Sequence, residues 1–242
     1  LHFNGNADYL VVKDFDYETD ATFTVSLWFT KEKCTGNVYE YLYSDHKSAT
    51  PGTMWTLPYL DIYMGCHDDK SKSGSPSIVR YWMRDSSGQE AMMDWPLADA
   101  GKFDSITKTW VHVMMTVSPN SIKNYEDGKI IPDMQYGYYG ARQANIASSG
   151  PSALKPPFKA PIGSKKIFDF GDIHVGGRAD HSGARRFLGH IAMLQIYDTQ
   201  LNAYQANCIF KAGELLLPKA APPNQNVCPS NPLLDSTFLS NM

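Results

Sequence analysis

Apolar and polar residues alternate with a period of two along much of the chain. Over residues 23–30, Phe23, Val25, Leu27 and Phe29 fall on one face, while Thr22, Thr24, Ser26, Trp28 and Thr30 share the other. This alternation predicts a half-buried antiparallel strand. Residues 110–118 repeat it, with Val111, Val113, Met115 and Val117 facing one way. In residues 189–197, Ala192, Leu194 and Ile196 lie on one side and Ile191, Met193 and Tyr197 on the other, which predicts a strand buried on both faces. Shorter strands are predicted at residues 9–13, 39–44, 55–64, 78–84, 122–126 and 173–176.

Asp127-Gly128 separates two of these runs and suits the positive φ angles of a type I′ hairpin turn. One helix is predicted, over residues 203–212. Asn202 and Gln205 have capping-box spacing, Ile209 and Phe210 face inward, and Gly213 supplies the stop. Many short strands with turn signals and one short C-terminal helix define an all-β, antiparallel two-sheet sandwich. Residues 1–217 form this sandwich. Within it, residues 132–172 read as a long insertion without a clear strand, rich in Gly, Pro, Ser and Tyr. Residues 218–242, with Pro218, Pro222, Pro223, Pro229 and Pro232, read as an extended tail or linker.

Composition narrows the function classes. The 242 residues are 43% hydrophobic and 12% aromatic, enough for a packed core. The net charge is -3, and the longest basic features are Lys165-Lys166 and Arg185-Arg186. These are read as solvated loop pairs, too short for a nucleic-acid footprint. No stretch approaches the ~18 apolar residues of a membrane-spanning helix. The chain opens directly on a strand at Leu1-His2-Phe3, as expected of a processed protein or a segment of a larger one. Cys34, Cys66, Cys208 and Cys228 have no metal-site spacing. Four cysteines allow three connectivities. Cys34–Cys66 and Cys208–Cys228 are preferred as neighbours in sequence, the first closing a loop worth about 3–4 kcal/mol. Disulfides imply an oxidising, extracellular or cell-surface location.

Four segments stand out together. They are the opening Leu1-His2-Phe3-Asn4-Gly5 with Asp8-Tyr9-Leu10, the strand Phe23-Thr24-Val25-Ser26-Leu27-Trp28-Phe29, and Trp110-Val111-His112-Val113 with Asp127-Gly128-Lys129. Most specific is the closing run Asp172-Ile173-His174-Val175-Gly176-Gly177-Arg178, Phe187-Leu188-Gly189-His190-Ile191 and Ile196-Tyr197-Asp198. In this order they resemble the laminin-G-like family, which shares the concanavalin A-like jelly roll with pentraxins and lectins. The resemblance implies a jelly-roll sandwich and a binding role. Asn124 and Glu126 stand where the family has aliphatic residues, so their strand is expected at an edge. The family's calcium ligands have no clean counterpart. Asp45, Asp68, Asp69 and Asp180 are the rim candidates, because hard oxygen ligands suit Ca2+. No cofactor is required.

Catalytic patterns are weak. A retaining glycosidase needs carboxylates about 5–5.5 Å apart. Asp14-Phe15-Asp16-Tyr17-Glu18 matches that need only loosely and lies in a connection. There is no Gly-x-Ser-x-Gly elbow, and His112 and His174 sit on strand patterns. The expectation is therefore a non-enzymatic extracellular interaction or structural module that docks other chains through its loops and tail. The alternative is a carbohydrate-binding domain, with or without calcium, using Tyr136, Tyr138, Tyr139, Trp82 and Trp95 as stacking platforms. The competing expectation for Trp82, as for Trp28 and Trp110, is packing in the core or on a sheet face.

Overall fold

The computed structural model describes residues 1–13, 17–19, 22–31, 39–46, 50, 56–65, 78–84, 90–96, 110–118, 121–130, 135–137, 168–180 and 185–217. The strands are β1 (His2–Asn4), β2 (Leu10–Val12), β3 (Tyr17–Thr19), β4 (Phe23–Lys31), β5 (Tyr39–His46), β6 (Tyr59–Gly65), β7 (Ile78–Arg84) and β8 (Glu90–Pro96). They continue with β9 (Val111–Ser118), β10 (Ser121–Glu126), β11 (Lys129–Ile130), β12 (Gln135–Gly137), β13 (Phe168–Phe170), β14 (Asp172–Val175) and β15 (Leu188–Tyr197). The helix, α1, is Ala203–Leu216.

Two antiparallel sheets face each other in a jelly-roll sandwich. One has the order β1-β15-β4-β9-β10-β11 and the other β12-β8-β7-β6-β5-β14-β2, with β13-β3 as a separate pair. The alternation read from the sequence is what fills the gap. Phe23, Val25, Leu27, Phe29, Val111, Val113, Met115 and Val117 of the first sheet meet Leu60, Ile62, Met64, Val79, Tyr81, Met83, Ile173 and Val175 of the second. Burial of this size supplies the main driving force for the fold.

Strict alternation fails at two bulges, each with a consequence. In β15, Ile191 pairs with Phe29 and Ile196 with Val25, so β15 uses five steps where β4 uses four. The extra residue is absorbed between Ala192 and Gln195, where Met193 adopts φ 50°. Ile191 and, more loosely, Leu194 and Ile196 therefore pack on the core together, while Ala192, Met193, Gln195 and Tyr197 are only half-buried. The expected burial on both faces is corrected accordingly. In β5 the register shifts between Tyr41 and Tyr43, so Leu42 and Tyr43 both join the core.

A second, smaller core lies on the outer face of the six-stranded sheet. Met114, Tyr125, Leu201, Ala206 and Ile209 are buried there beneath α1. Trp28 stacks on Phe210 with ring centroids 5.3 Å apart. Trp110 meets His190 edge-on at 6.2 Å. The capping box is present, with Gln205 N donating to Asn202 Oδ1 at 3.0 Å and Asn202 N donating to Gln205 Oε1 at 2.9 Å. Asp127 (φ 48°) and Gly128 (φ 73°) form the predicted turn. Asn124, expected at an edge, is fully buried on β10, which lies between β9 and the two-residue edge strand β11.

Gly213 does not stop the helix. α1 runs on to Leu216, and the cap is Leu217, whose N–H bonds to the Gly213 carbonyl. A Cβ at position 213 would stand 2.5–2.7 Å from three atoms of the Trp28 indole. The glycine is thus an approach point for helix on sheet. Gly213→Ala should gain about 1 kcal/mol of helix propensity and lose more to overpacking, about 1–3 kcal/mol. The expected net result is a lower urea midpoint together with a shift in Trp28 fluorescence. A more stable variant would mean the helix can slide without loss.

Further departures concern short elements. β8 was not predicted, and β12 and β13 fall inside the segment read as strandless. Cys208, on α1, is disulfide-bonded. Its partner lies outside the described residues, as do Cys34, Cys66 and Cys228. No described helix is long and apolar enough to cross a membrane.

Candidate functional site

The outer face of the seven-stranded sheet gathers the molecule's polar and aromatic chemistry in three rows. Cross-strand pairing places Tyr41, Tyr63 and Arg80 in one row. His174, Ser44, Asp61 and Trp82 form the next, and Asp172, His46, Tyr59 and Arg84 the third. The bulge after Tyr41 is what brings odd-numbered Tyr41 onto the face of even-numbered Ser44 and His46.

Asp61 is the hub of the middle of this face. Its Oδ1 accepts from Ser44 Oγ at 2.7 Å and lies 3.0 Å from His46 Nε2, which is 3.1 Å from Oδ2. Ser44 Oγ also accepts from Ala179 N at 3.1 Å, and His46 stacks on Tyr59 at 4.8 Å. The residue types of a nucleophilic triad are present but wired differently. In a triad the histidine faces the hydroxyl and the carboxylate orients the histidine. Here the serine hydroxyl donates its hydrogen bond directly to the carboxylate, and all three side chains are buried. This cluster ties β5 to β6 and to the segment after β14.

At one end of the face, tyrosines and arginines interleave. Tyr41 and Tyr63 stack with centroids 4.7 Å apart, and Tyr39 meets Tyr63 edge-on at 5.1 Å. Arg80 lies 5.6 Å from the Tyr39 ring and 5.9 Å from Tyr63, Arg178 lies 5.8 Å from Tyr41, and Arg185 lies 5.2 Å from Tyr39. Arg186 sits 4.1 Å from Tyr9. Burial, reinforced by the Asp61 charge, pushes the Tyr41 phenol well above its ordinary value. Burial does the same at Tyr63, against the opposing pull of Arg80. The pair Arg185-Arg186 is thus not a solvated loop feature. Arg186 is buried, and each guanidinium lies on a ring.

The residues singled out in the sequence scatter. Trp82 is in the middle row, edge-on to Tyr59 at 5.6 Å. Trp95 pairs with Val79, and Tyr136 pairs with Met93, itself opposite Tyr81, so both occupy register rows that alternate with that of Trp82. Tyr138, Tyr139, Asp68 and Asp69 lie outside the described residues. Asp45 is buried, accepting from Gly171 N at 2.7 Å and from the Tyr43 hydroxyl at 3.2 Å. Asp180 is clamped by Arg178 Nε at 2.8 Å and Nη2 at 2.5 Å. Both carboxylates already have protein donors, and no group of three or more His, Cys, Asp or Glu among the described residues could hold a metal ion. Tyr39, Tyr41, Tyr63, Arg80 and Arg178 were not singled out. The signal was available in the alternating sets Tyr59-x-Asp61-x-Tyr63 and Arg80-x-Trp82-x-Arg84.

No protein-family model matches the chain, and no curated protein matches it. Solved structures do. The native heptameric SAP-like pentraxin from Limulus polyphemus is 13% identical with a TM-score of 0.52, over 86% of this chain and 80% of its own. The binding domain of botulinum neurotoxin serotype D is 10% identical with a TM-score of 0.53, over 88% of this chain but only 42% of that one. The binding domain of Paraclostridial Mosquitocidal Protein 1 is 15% identical with a TM-score of 0.51, over 88% of this chain and 43% of that one. At such identities the likeness is one of fold. The strand order, the helix on the outer sheet face and these structural neighbours agree: the chain has the laminin-G-like, concanavalin A-type fold.

Proposed function

We propose that the chain is a non-catalytic interaction module of a larger extracellular or cell-surface assembly. One observation carries the reading: Tyr39, Arg80, Arg178 and Arg185 are partly exposed at one end of the outer face of the seven-stranded sheet, and tyrosine and arginine are residue types that dominate protein interfaces. Asp45, Asp61 and Asp180 are each engaged by neighbouring donors. The insertion at 132–172 and the Pro-rich tail at 218–242 are proposed as further docking elements. Cys34–Cys66 and Cys208–Cys228 are the proposed bridges of a secreted protein.

Carbohydrate binding is the second reading, favoured by the partly exposed aromatic rings of Tyr39 and Trp82 on the same face. A glycan array, run with calcium and again with chelator, separates the two. The interaction module predicts no saturable binding under either condition. Saturable binding that is lost in a Tyr138→Ala, Tyr139→Ala variant would overturn it in favour of a lectin. Chelator sensitivity would then direct the search for the cation to Asp45, Asp68, Asp69 and Asp180.

A further inference from the structure

The helix α1 buries Ala206, Ile209 and Gly213 against the six-stranded sheet, yet its other side is apolar as well. Tyr204, Cys208, Ala212 and Leu215 follow one another there at helical spacing, with Leu216 beside them and Lys211 at one margin. Tyr204 is 59% exposed, Leu215 69% and Leu216 74%, so the helix carries an uncovered apolar strip along its length. A covalent bond sits in the middle of that strip. Cys208 is disulfide-bonded, and its partner is a cysteine outside the described residues. Whichever segment carries that cysteine is tied to the strip.

The fold discriminates among Cys34, Cys66 and Cys228. Cys66 directly follows Gly65, which ends β6 in the seven-stranded sheet, whereas α1 lies on the far side of the six-stranded sheet. Stacked sheets stand about 10 Å apart and a helix on the outer face adds about another 10 Å. Disulfide-linked Cα atoms lie within about 7 Å of each other, so Cys66 is out of reach. Cys34 lies on the connection from Lys31 of β4 to Tyr39 of β5, which passes from one sheet to the other. A bridge to Cys208 would draw that short connection outward over the helix, away from the sheet it has to enter. Tyr39 pairs with Gly65, so Cys34 and Cys66 instead flank one cross-strand pair. Cys228 meets neither obstacle. Leu217 is extended (φ -98°, ψ 140°), and Pro218 cannot continue the helix. The return from Leu217 to Cys208 is about 14 Å along α1, and residues 218–228 span up to about 34 Å in polyproline II geometry. We propose that residues 218–228 fold back over α1 as a strap, with Cys228 bonded to Cys208 and the Ala- and Pro-rich stretch laid on Ala212, Leu215 and Leu216. Pro229 then falls at Tyr204, one turn beyond the bridge, where a proline packs on an aromatic ring. The strap rests on the Cys208–Cys228 bridge proposed above and adds the surface that the tail covers. Residues 229–242, with Leu233, Leu234, Phe238 and Leu239, are then the part of the tail that reaches a partner.

Non-reducing tryptic mapping of the intact chain by mass spectrometry reads the bridge. Cleavage after Arg186, Lys211 and Lys219 places Cys208 in peptide 187–211 and Cys228 in peptide 220–242. The two should appear as one linked species that reduction separates, from a chain that runs as a monomer on a non-reducing gel. Peptide 187–211 linked to 34–47 or 48–70, or a covalent dimer, would overturn the strap. Trypsin added to the native chain reads the docking. Lys219 lies within the strap, so cutting there should be slow in the parent. It should be about tenfold faster in a variant carrying Tyr204→Gln, Leu215→Gln and Leu216→Gln, because cleavage tracks the undocked population. These changes keep the bridge, touch exposed side chains and preserve helix propensity. Equal cutting rates would mean that the tail is tethered without lying on α1, and the proposal falls. Saturable binding on the glycan array would remove the interaction module and leave the strap standing. A bridge from Cys208 to Cys34 or Cys66 would do the reverse.

Discussion

Replacing Lys31 with methionine should destabilise the chain by about 3–5 kcal/mol, the cost of stranding a buried charge. Lys31 ends β4 in one sheet and Glu40 is the second residue of β5 in the other, and the two side chains meet as a fully buried ion pair between the sheets. Glu40 also accepts from Leu188 N at 3.0 Å, Lys31 donates to Leu188 O at 3.1 Å, and its ammonium lies 4.9 Å from the Phe187 ring. Lys31→Met leaves the Glu40 carboxylate without its cation in a site with little access to water. Lys31→Met combined with Glu40→Leu removes both charges and should recover most of the loss, leaving roughly 1 kcal/mol for the two Leu188 backbone groups. Urea unfolding of the two single variants and the double variant reads this directly. Additive losses across the cycle would show that the two side chains do not act as a unit.

That pair also marks where the sequence stops being readable. Period-2 alternation located β4, β9 and most of the core, because inward and outward positions on one strand differ in hydrophobicity. It says nothing about two charges, one at the end of β4 and one at the start of β5, that meet across the interior. Lys31 and Glu40 read as ordinary boundary residues until the sheets are stacked.

The outer face of the seven-stranded sheet was hidden for a related reason. Tyr41, Tyr63 and Arg80 are 17 to 39 residues apart from one another in pairs and become neighbours only through strand order and the bulge after Tyr41. Short elements escaped for a local reason. β12 and β13 are three residues each, too short for a period to register, and they fall in a segment whose Gly and Pro content signals loops. Gly213 was misread because the same residue serves as a helix stop and as a point of close helix–sheet approach. Only the indole of Trp28 beneath it decides between them.

Alkaline pH should unfold the chain through its buried tyrosines. Burial holds the phenols of Tyr41, Tyr43, Tyr63 and Tyr81 well above their ordinary value, helped at Tyr43 by the Asp45 carboxylate and at Tyr41 by Asp61. Burial also pushes Tyr197 up to about 12. In the unfolded chain these phenols ionise near pH 10, the ordinary value. Above about pH 10 the folded state therefore holds protons that the unfolded state has released, and stability falls as pH rises through that window. Each such group contributes a slope of about 1.4 kcal/mol per pH unit. The four most buried phenols together give roughly 5 kcal/mol per unit, against a typical total stability of about 5–15 kcal/mol. Unfolding should thus be complete within about one to three units above pH 10. Tyrosinate absorbance should rise in two stages, exposed phenols first and the buried set together with loss of the β-sheet circular dichroism. Tyr43→Phe and Tyr81→Phe should each flatten the stability slope by about 1.4 kcal/mol per unit. A single absorbance wave near pH 10 with the sheet signal intact would mean that water reaches these rings, and with it that Tyr41 and Tyr63 are not the closed, stacked pair that their burial implies.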